Sequence, residues 1–276
     1  PFNFLGLPLA IRKKVYSLVL TIPALISVRQ NRTRTYNESN AYLFADSRYL
    51  LPGIAFALAQ LVVSGTKFHY SRYSYTNAAL LRVSQKIHRE AKEIMYAGND
   101  FDIANLNRET SPPADFSIPL FPRGYARFLR KMTVRAKSVY GFQYLIKDAG
   151  HEELRNHYRG LDTLTLILEV DSIHRGYGRK LSRGEGGDEK WVAYVKRVHN
   201  VLQMELFGCP GIFKSIPLWI NMKVLVTGDH YVEAGVEGDV DAMDVDDEVE
   251  DGDEIKEQHL KAAVAEAFEL FKKGGR

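Results

Sequence analysis

The chain has 276 residues, of which 26% are charged and 45% hydrophobic, and its formal net charge is +3. A chain of this length can bury a core that needs no disulfide or metal ion to hold it together. Its single cysteine, Cys209, excludes an internal disulfide and favours an intracellular protein, nuclear or cytoplasmic rather than secreted.

No apolar run reaches the roughly 18 residues that a membrane-spanning helix requires, so we expect no membrane segment. The chain starts at Pro1 rather than at a methionine, and we expect it to be a piece of a longer protein.

The charges are distributed unevenly along the chain. The segment 237–254 contains 11 acidic residues and neither Lys nor Arg. Without this segment the chain has 37 basic and 23 acidic residues, a net charge of +14. We therefore expect a basic body that could attract nucleic acid, an acidic partner or the acidic segment itself.

The first predicted element is a short amphipathic helix. Pro8 suits the first turn of a helix, and Ile11, Val15 and Leu18 recur at helical spacing on one face. Arg12 is expected to face the other way, towards solvent.

Three further elements are predicted before residue 76. Residues 24–28 are expected to form a strand, and the apolar run 50–63 a buried helix. Residues 67–75 alternate basic or polar with aromatic side chains, which predicts a strand.

A second amphipathic helix is predicted to begin after Asn77 as its N-cap. Its apolar stripe consists of Leu80, Val83, Ile87, Ala91, Ile94 and Met95. Gly98 and Asn99 are expected to end the helix with a left-handed cap, and residues 101–104 to follow as a strand.

The later part of the chain alternates strands with helices. The predicted strands are 132–136, 161–170 and 219–226, and the predicted helices are 140–158 and 191–207. The Gly- and Arg-rich segment 171–189 is expected to be a loop. This βαβαβ order predicts a parallel or mixed sheet and a mixed α/β fold.

The predicted organisation has four parts. Residues 1–115 and 116–231 form two halves of one unit. Residues 232–254 are expected to be a disordered acidic linker, because they offer little apolar surface to bury. Residues 255–273 form a C-terminal amphipathic helix that docks on the body or on a partner.

Two stretches resemble the two ends of an F-box. Residues 4–16, FLGLPLAIRKKVY, resemble its opening, where a Leu-Pro turn precedes an amphipathic helix. Residues 79–91, ALLRVSQKIHREA, resemble its later Val-Ser helix, and MYAGNDF follows at 95–101. The combination resembles the large family of uncharacterised F-box-like domain proteins of filamentous fungi. In this chain more than 50 residues separate the two pieces.

The resemblance implies a non-enzymatic protein–protein interaction module. It implies a substrate receptor that binds the Skp-type linker of cullin–RING ubiquitin ligases. The matching candidate contacts are Leu7, Pro8, Ile11 and Val15, although packing in the core is the role we expect for most of these residues.

The sequence contains no catalytic motif that would indicate an enzyme. A Gly-Xaa-Ser-Xaa-Gly elbow, a P-loop and a metalloprotease helix are all missing. Gly176 and Gly178 lack the third glycine of a dinucleotide motif and suit a flexible connection. We expect no cofactor and no metal ion, since the His residues lack ligand spacing and the acidic run has Asp251 where a calcium loop needs glycine.

A nucleic-acid-binding module is the competing interpretation. Basic residues interleave with aromatics in two clusters, a pattern that suits phosphate contacts and base stacking. The candidate residues are Lys67, Arg72, Arg123, Arg127, Arg130, Lys131, Arg135, Lys137, Arg179 and Arg183. In this interpretation the acidic segment would mimic nucleic acid and inhibit binding. The oligomeric state and the partner's identity do not follow from the sequence.

Overall fold

The computed structural model describes residues 3–21, 25–27, 59–64, 67–72, 78–102, 121, 124–147, 150–184, 189–208, 215–226, 231–233 and 247–274. Cys209 and Arg123 lie outside these residues. Within the described ranges no helix is both long enough and apolar enough to cross a membrane.

The described part of the chain contains α-helices and two sheets. The helices are α1 (Leu9–Leu20), α2 (Gln85–Gly98), α3 (Gln143–Ile146), α4 (Gly150–His157), α5 (Gly176–Leu181), α6 (Trp191–Phe207) and α7 (Asp247–Lys272). The strands are β1 (Leu25–Ser27), β2 (Ala59–Ser64), β3 (Lys67–Arg72), β4 (Asp100–Asp102), β5 (Lys131–Ala136), β6 (Thr163–Val170), β7 (Ile220–Val226) and β8 (Tyr231–Glu233).

A parallel sheet with the strand order β1-β4-β5-β6-β7 forms the centre of the fold. The predicted mixed α/β class is therefore confirmed. The β4–β5 pairing carries the sheet across the boundary predicted near residue 115, so strands from both predicted halves share one sheet.

One face of this sheet carries the apolar core. The strands follow one another in chain order across the sheet. With the right-handed crossovers that are general for parallel strands, this order places the connections on one face. Val134, Leu166 and Leu168 point to that face and are fully buried. Alternate positions carry polar side chains, including the exposed Lys131 and Lys223.

The helix predicted over 50–63 is wrong where the structure describes it. Ala59–Ser64 is the strand β2, which pairs antiparallel with β3 so that Ser64 lies opposite Lys67. The β-branched residues Val62 and Val63, followed by a glycine, favour a hairpin over a helix. β3 also pairs in parallel with β8, forming a small second sheet.

The loop predicted over 171–189 is helical in part, because Gly176–Leu181 forms α5. Gly178 is buried in this helix, and a Cβ at that position would lie 2.0 Å from the carbonyl oxygen of Ser172. Glycine is therefore needed here for close backbone packing rather than for flexibility.

The last helix docks on the body in cis. α7 contacts α6 and β7, and both Phe268 and Phe271 are buried. The Phe271 ring stacks on His199 of α6 with 4.3 Å between ring centroids. The stripe of apolar residues expected for this helix therefore covers part of the core.

α7 begins earlier than the sequence predicts. It starts at Asp247, inside the predicted linker over 232–254, and β8 also enters that range. The Asp253 carboxylate lies 2.9 Å from His174 Nε2 and 3.2 Å from Lys256 Nζ. These contacts, together with the helix dipole, stabilise acidic residues in the N-terminal turns.

Replacing Phe268 with alanine is expected to lower the free energy of unfolding by about 3–5 kcal/mol, because its ring is 1% exposed in the core. Ile255→Ala in the same helix is the matched control, since Ile255 is 51% exposed, and should cost under about 1 kcal/mol. Urea unfolding followed by circular dichroism measures both. Equal small losses would show that α7 does not dock in this way.

Candidate partner-binding surface on the N-terminal helices

Arg12 joins α1 to α2, although a long stretch of sequence separates the two helices. Its Nε and Nη2 donate hydrogen bonds to the two carboxylate oxygens of Glu90 at 2.9 and 2.7 Å, a bidentate ion pair. The two residues are 78 positions apart in sequence. Their side chains are 9% and 15% exposed, so water screens the pair only weakly.

The same guanidinium also holds the turn that precedes α1. Arg12 Nη1 donates to the carbonyl oxygen of Leu5 at 3.1 Å and to that of Leu7. The Tyr16 hydroxyl donates to Glu90 at 2.9 Å, so the carboxylate accepts from two residues of α1. Turn, first helix and second helix therefore form one connected polar network.

The network shifts the proton affinities of its members. The hydrogen bonds from Arg12 lower the pKa of Glu90 below its ordinary 4.5, and the hydrogen bond from Tyr16 acts in the same direction. Glu90 in turn raises the pKa of Arg12. Burial is the main reason that the pKa of Tyr16 is raised, with the hydrogen bond to Glu90 second.

A second contact fixes the other end of the helix pair. The buried Asn99 side chain donates to the carbonyl oxygens of Leu20 at 2.9 Å and Met95 at 2.7 Å, which caps the last turns of α1 and α2. The predicted left-handed cap is wrong, because the backbone of Asn99 is extended, with a φ of −99° and a ψ of 157°. Gly98 is instead needed for close approach, since a Cβ there would lie 2.7 Å from Thr21 Oγ1.

The buried face of α1 differs from the one the sequence suggested. Arg12, Tyr16 and Leu20 are its buried residues, so the expectation that Arg12 faces solvent is wrong. An arginine can be buried here because Glu90 and two backbone carbonyls satisfy its guanidinium.

The predicted apolar stripe of α1 remains largely outside the core. Pro8 and Ile11 are exposed, and Leu7 and Val15 are half-buried, so none of the four candidate contacts is buried. The exposed apolar side chains of this region are Leu5 (38%), Leu9 (45%), Ile11 (48%), Leu18 (77%) and Val83 (66%). The α1 face is the name used below for Pro8, Ile11, Val15 and Leu18, which recur at helical spacing.

The second helix starts later than predicted. Residues 78–82 form a 3-10 helix, and α2 begins at Gln85 with Ser84 as its N-cap, whose hydroxyl accepts from Ile87 N at 3.2 Å. Ile87, Ala91 and Met95 are buried as the stripe predicts. Val83 lies before the helix, where its side chain is exposed.

The candidate nucleic-acid-binding residues do not form one surface. Arg127, Arg130 and Lys131 lie at the amino end of β5, whereas Lys137 follows its carboxyl end. Lys137 is six residue steps along the chain from Lys131, which in a strand corresponds to roughly 20 Å. Lys67 and Arg72 begin and end β3, and Arg179 lies on α5.

Several of these cations have partners in the protein. Arg135 pairs with Glu169 at 2.9 Å, Arg130 with Asp162 at 3.7 Å, and Lys137 with Asp171 at 3.4 Å. The Arg183 guanidinium donates to the Glu189 carbonyl oxygen, and Arg127 lies 4.8 Å from the centroid of the Phe128 ring. A phosphate would have to compete with these contacts.

The described residues hold no group of three or more His, Cys, Asp or Glu side chains arranged to bind a metal ion. Comparison of the chain with protein-family models, with curated proteins and with solved structures finds no match. The site is therefore defined by its geometry alone.

Replacing Glu90 with glutamine is expected to lower the urea midpoint of unfolding, because it leaves the Arg12 charge shielded from water without a counter-charge. The matched control is Glu93→Gln in the same helix, since Glu93 is exposed. A decrease no larger than that of the control would contradict a structural role for the pair.

Acid is expected to remove the contribution of Glu90. Because the pKa of Glu90 is lower in the folded state than its ordinary 4.5, its stabilisation is complete above about pH 4.5 and is lost as the pH falls through the folded-state value. The difference in urea midpoint between wild type and Glu90→Gln should therefore be largest above about pH 4.5 and shrink as the pH is lowered further. A difference independent of pH would show that Glu90 is not ionised in the network.

Proposed function

We propose that this chain is a non-enzymatic, F-box-like protein–protein interaction module that binds the Skp-type linker of cullin–RING ubiquitin ligases through the α1 face. The observation that carries the proposal is the exposure of a regularly spaced apolar stripe on α1. Leu18 is 77% and Ile11 48% exposed, although both are large aliphatic residues.

The buried side of α1 explains why this stripe is available. A helix on a protein surface ordinarily turns its apolar residues to the core and its charges to water. In α1, Arg12 takes a buried position because Glu90 pairs with it, and Ile11 and Leu18 point elsewhere. A cluster of exposed apolar side chains is typical of an interaction surface.

The network also holds this surface in a defined conformation before a partner arrives. The hydrogen bonds from Arg12 to the carbonyl oxygens of Leu5 and Leu7 fix the Leu-Pro turn relative to α1. A preorganised surface loses less conformational entropy on binding than a flexible one. This supports a binding role for the turn and for α1 together.

A substrate receptor needs a second surface for its substrate. The parallel sheet and the helices α3 to α6 form a body built from other elements than α1. That arrangement suits a receptor in which the N-terminal helices contact the ligase and the body contacts the substrate.

The competing function, binding of nucleic acid, is favoured by the +14 charge of the chain outside segment 237–254. Two observations weigh against a continuous phosphate-binding surface. Its candidate residues are divided between the two ends of β5, and Arg130, Arg135 and Lys137 already form ion pairs within the protein.

Leu18→Glu is expected to weaken binding to a purified Skp-type linker at least tenfold, about 1.4 kcal/mol, because it places a charge in an apolar contact. Leu218→Glu is the matched control, since Leu218 is also 77% exposed but precedes β7. Biolayer interferometry measures the affinities, and circular dichroism checks that both variants fold.

Two results would contradict the proposal. One is equal linker affinity for Leu18→Glu and Leu218→Glu. The other is a wild-type chain that does not bind the linker but binds oligonucleotides with an affinity that falls steeply with salt, which would favour the competing function.

A further inference from the structure

A groove on the outer side of α6 is a second candidate binding surface. It has a volume of about 640 Å³ and lies between α5 and α6. Its apolar lining consists of Ala193, Val201 and Met204. Its charged lining consists of Lys180, Lys196 and Arg197 together with the carboxylate of Glu205. None of these residues belongs to α1 or α2, so the groove is separate from the α1 face.

The apolar lining is accessible to a partner. Ala193, Val201 and Met204 are spaced so that they share one side of α6. Met204 is 49% exposed, and its flexible side chain can adapt to a ligand. This side of α6 therefore presents aliphatic surface that the described chain does not cover.

Two of the three cations are held in place by carboxylates. Arg197 makes a bidentate pair with Glu189, at 3.0 Å for each hydrogen bond. Lys180 pairs with Glu205, which also accepts from the Tyr177 hydroxyl. These contacts fix the walls of the groove.

The third cation has no such partner. Lys196 is exposed, and among the described residues no carboxylate lies within ion-pair distance of it. The groove therefore combines an aliphatic lining with one positive charge, that of Lys196, which no described carboxylate compensates.

We propose that this groove binds an acidic peptide segment of a partner protein, with one aliphatic side chain of the peptide packed against Val201 and Met204 and its carboxylates near Lys196. Charge complementarity selects the acidic partner. The aliphatic lining selects a peptide over a nucleic acid, because single strands bind by stacking on aromatic rings and the described residues that line the groove include none.

The test uses the full chain and a fluorescein-labelled peptide of acidic residues around a Leu-Leu centre, titrated by fluorescence polarisation. Lys196→Glu and Met204→Ser should each weaken binding at least about tenfold. Lys14→Glu on α1 is the matched control for charge reversal, since Lys14 is also exposed, and should leave the affinity within about twofold. Circular dichroism confirms that the variants fold.

Two further probes separate the contributions. A peptide with its carboxylates replaced by amides, and one with Ser-Ser in place of Leu-Leu, should both bind more weakly than the parent. Equal affinity for the amide peptide, or no difference between Lys196→Glu and Lys14→Glu, would overturn the proposal. A labelled oligothymidine that binds more tightly than the peptide and is lost in Lys196→Glu would also overturn it. Because no arm contains the Skp-type linker, failure here leaves the proposal for the α1 face unaffected.

Discussion

The ion pair between Arg12 and Glu90 determines how the two N-terminal helices lie against each other. It joins residues 78 positions apart, and its guanidinium also binds the Leu5 and Leu7 carbonyl oxygens. Asn99 fixes the opposite end by capping both helices. A shielded ion pair with its hydrogen bonds satisfied allows few alternative packings, because any other register leaves a charge without a partner.

The exposed surfaces follow from this arrangement. With Arg12 turned inward, Ile11 and Leu18 remain outside, which is the basis of the proposed linker contact. β1 follows α1 and β4 follows α2, and these two paired strands lie at one edge of the parallel sheet, so the helix pair is attached at that edge. The groove on α6 belongs to a later crossover. The two proposed contact surfaces therefore lie on different elements of the fold.

Periodicity alone predicted much of the fold. The strand-helix alternation after residue 131 gave the parallel sheet, and α6 has the predicted bounds of 191–207. Sequence patterns are misleading where tertiary contacts decide the structure. The apolar run 50–63 predicts a helix, but its described part pairs with β3. Gly178 suits a flexible connection, but its backbone is tightly packed. The burial of Arg12 could not be predicted, because only the fold brings Glu90 to it.

The most direct test of the central claim is a double-mutant cycle on the helix pair, with Arg12→Met, Glu90→Met and the double variant compared by urea unfolding. We predict that each single variant is clearly destabilised. The double variant should be at least as stable as the less stable of the two single variants, because it contains no charge that has lost its partner. Losses that simply add in the double variant would show that the two residues act independently, and would contradict the claim that their pair organises the N-terminal helices.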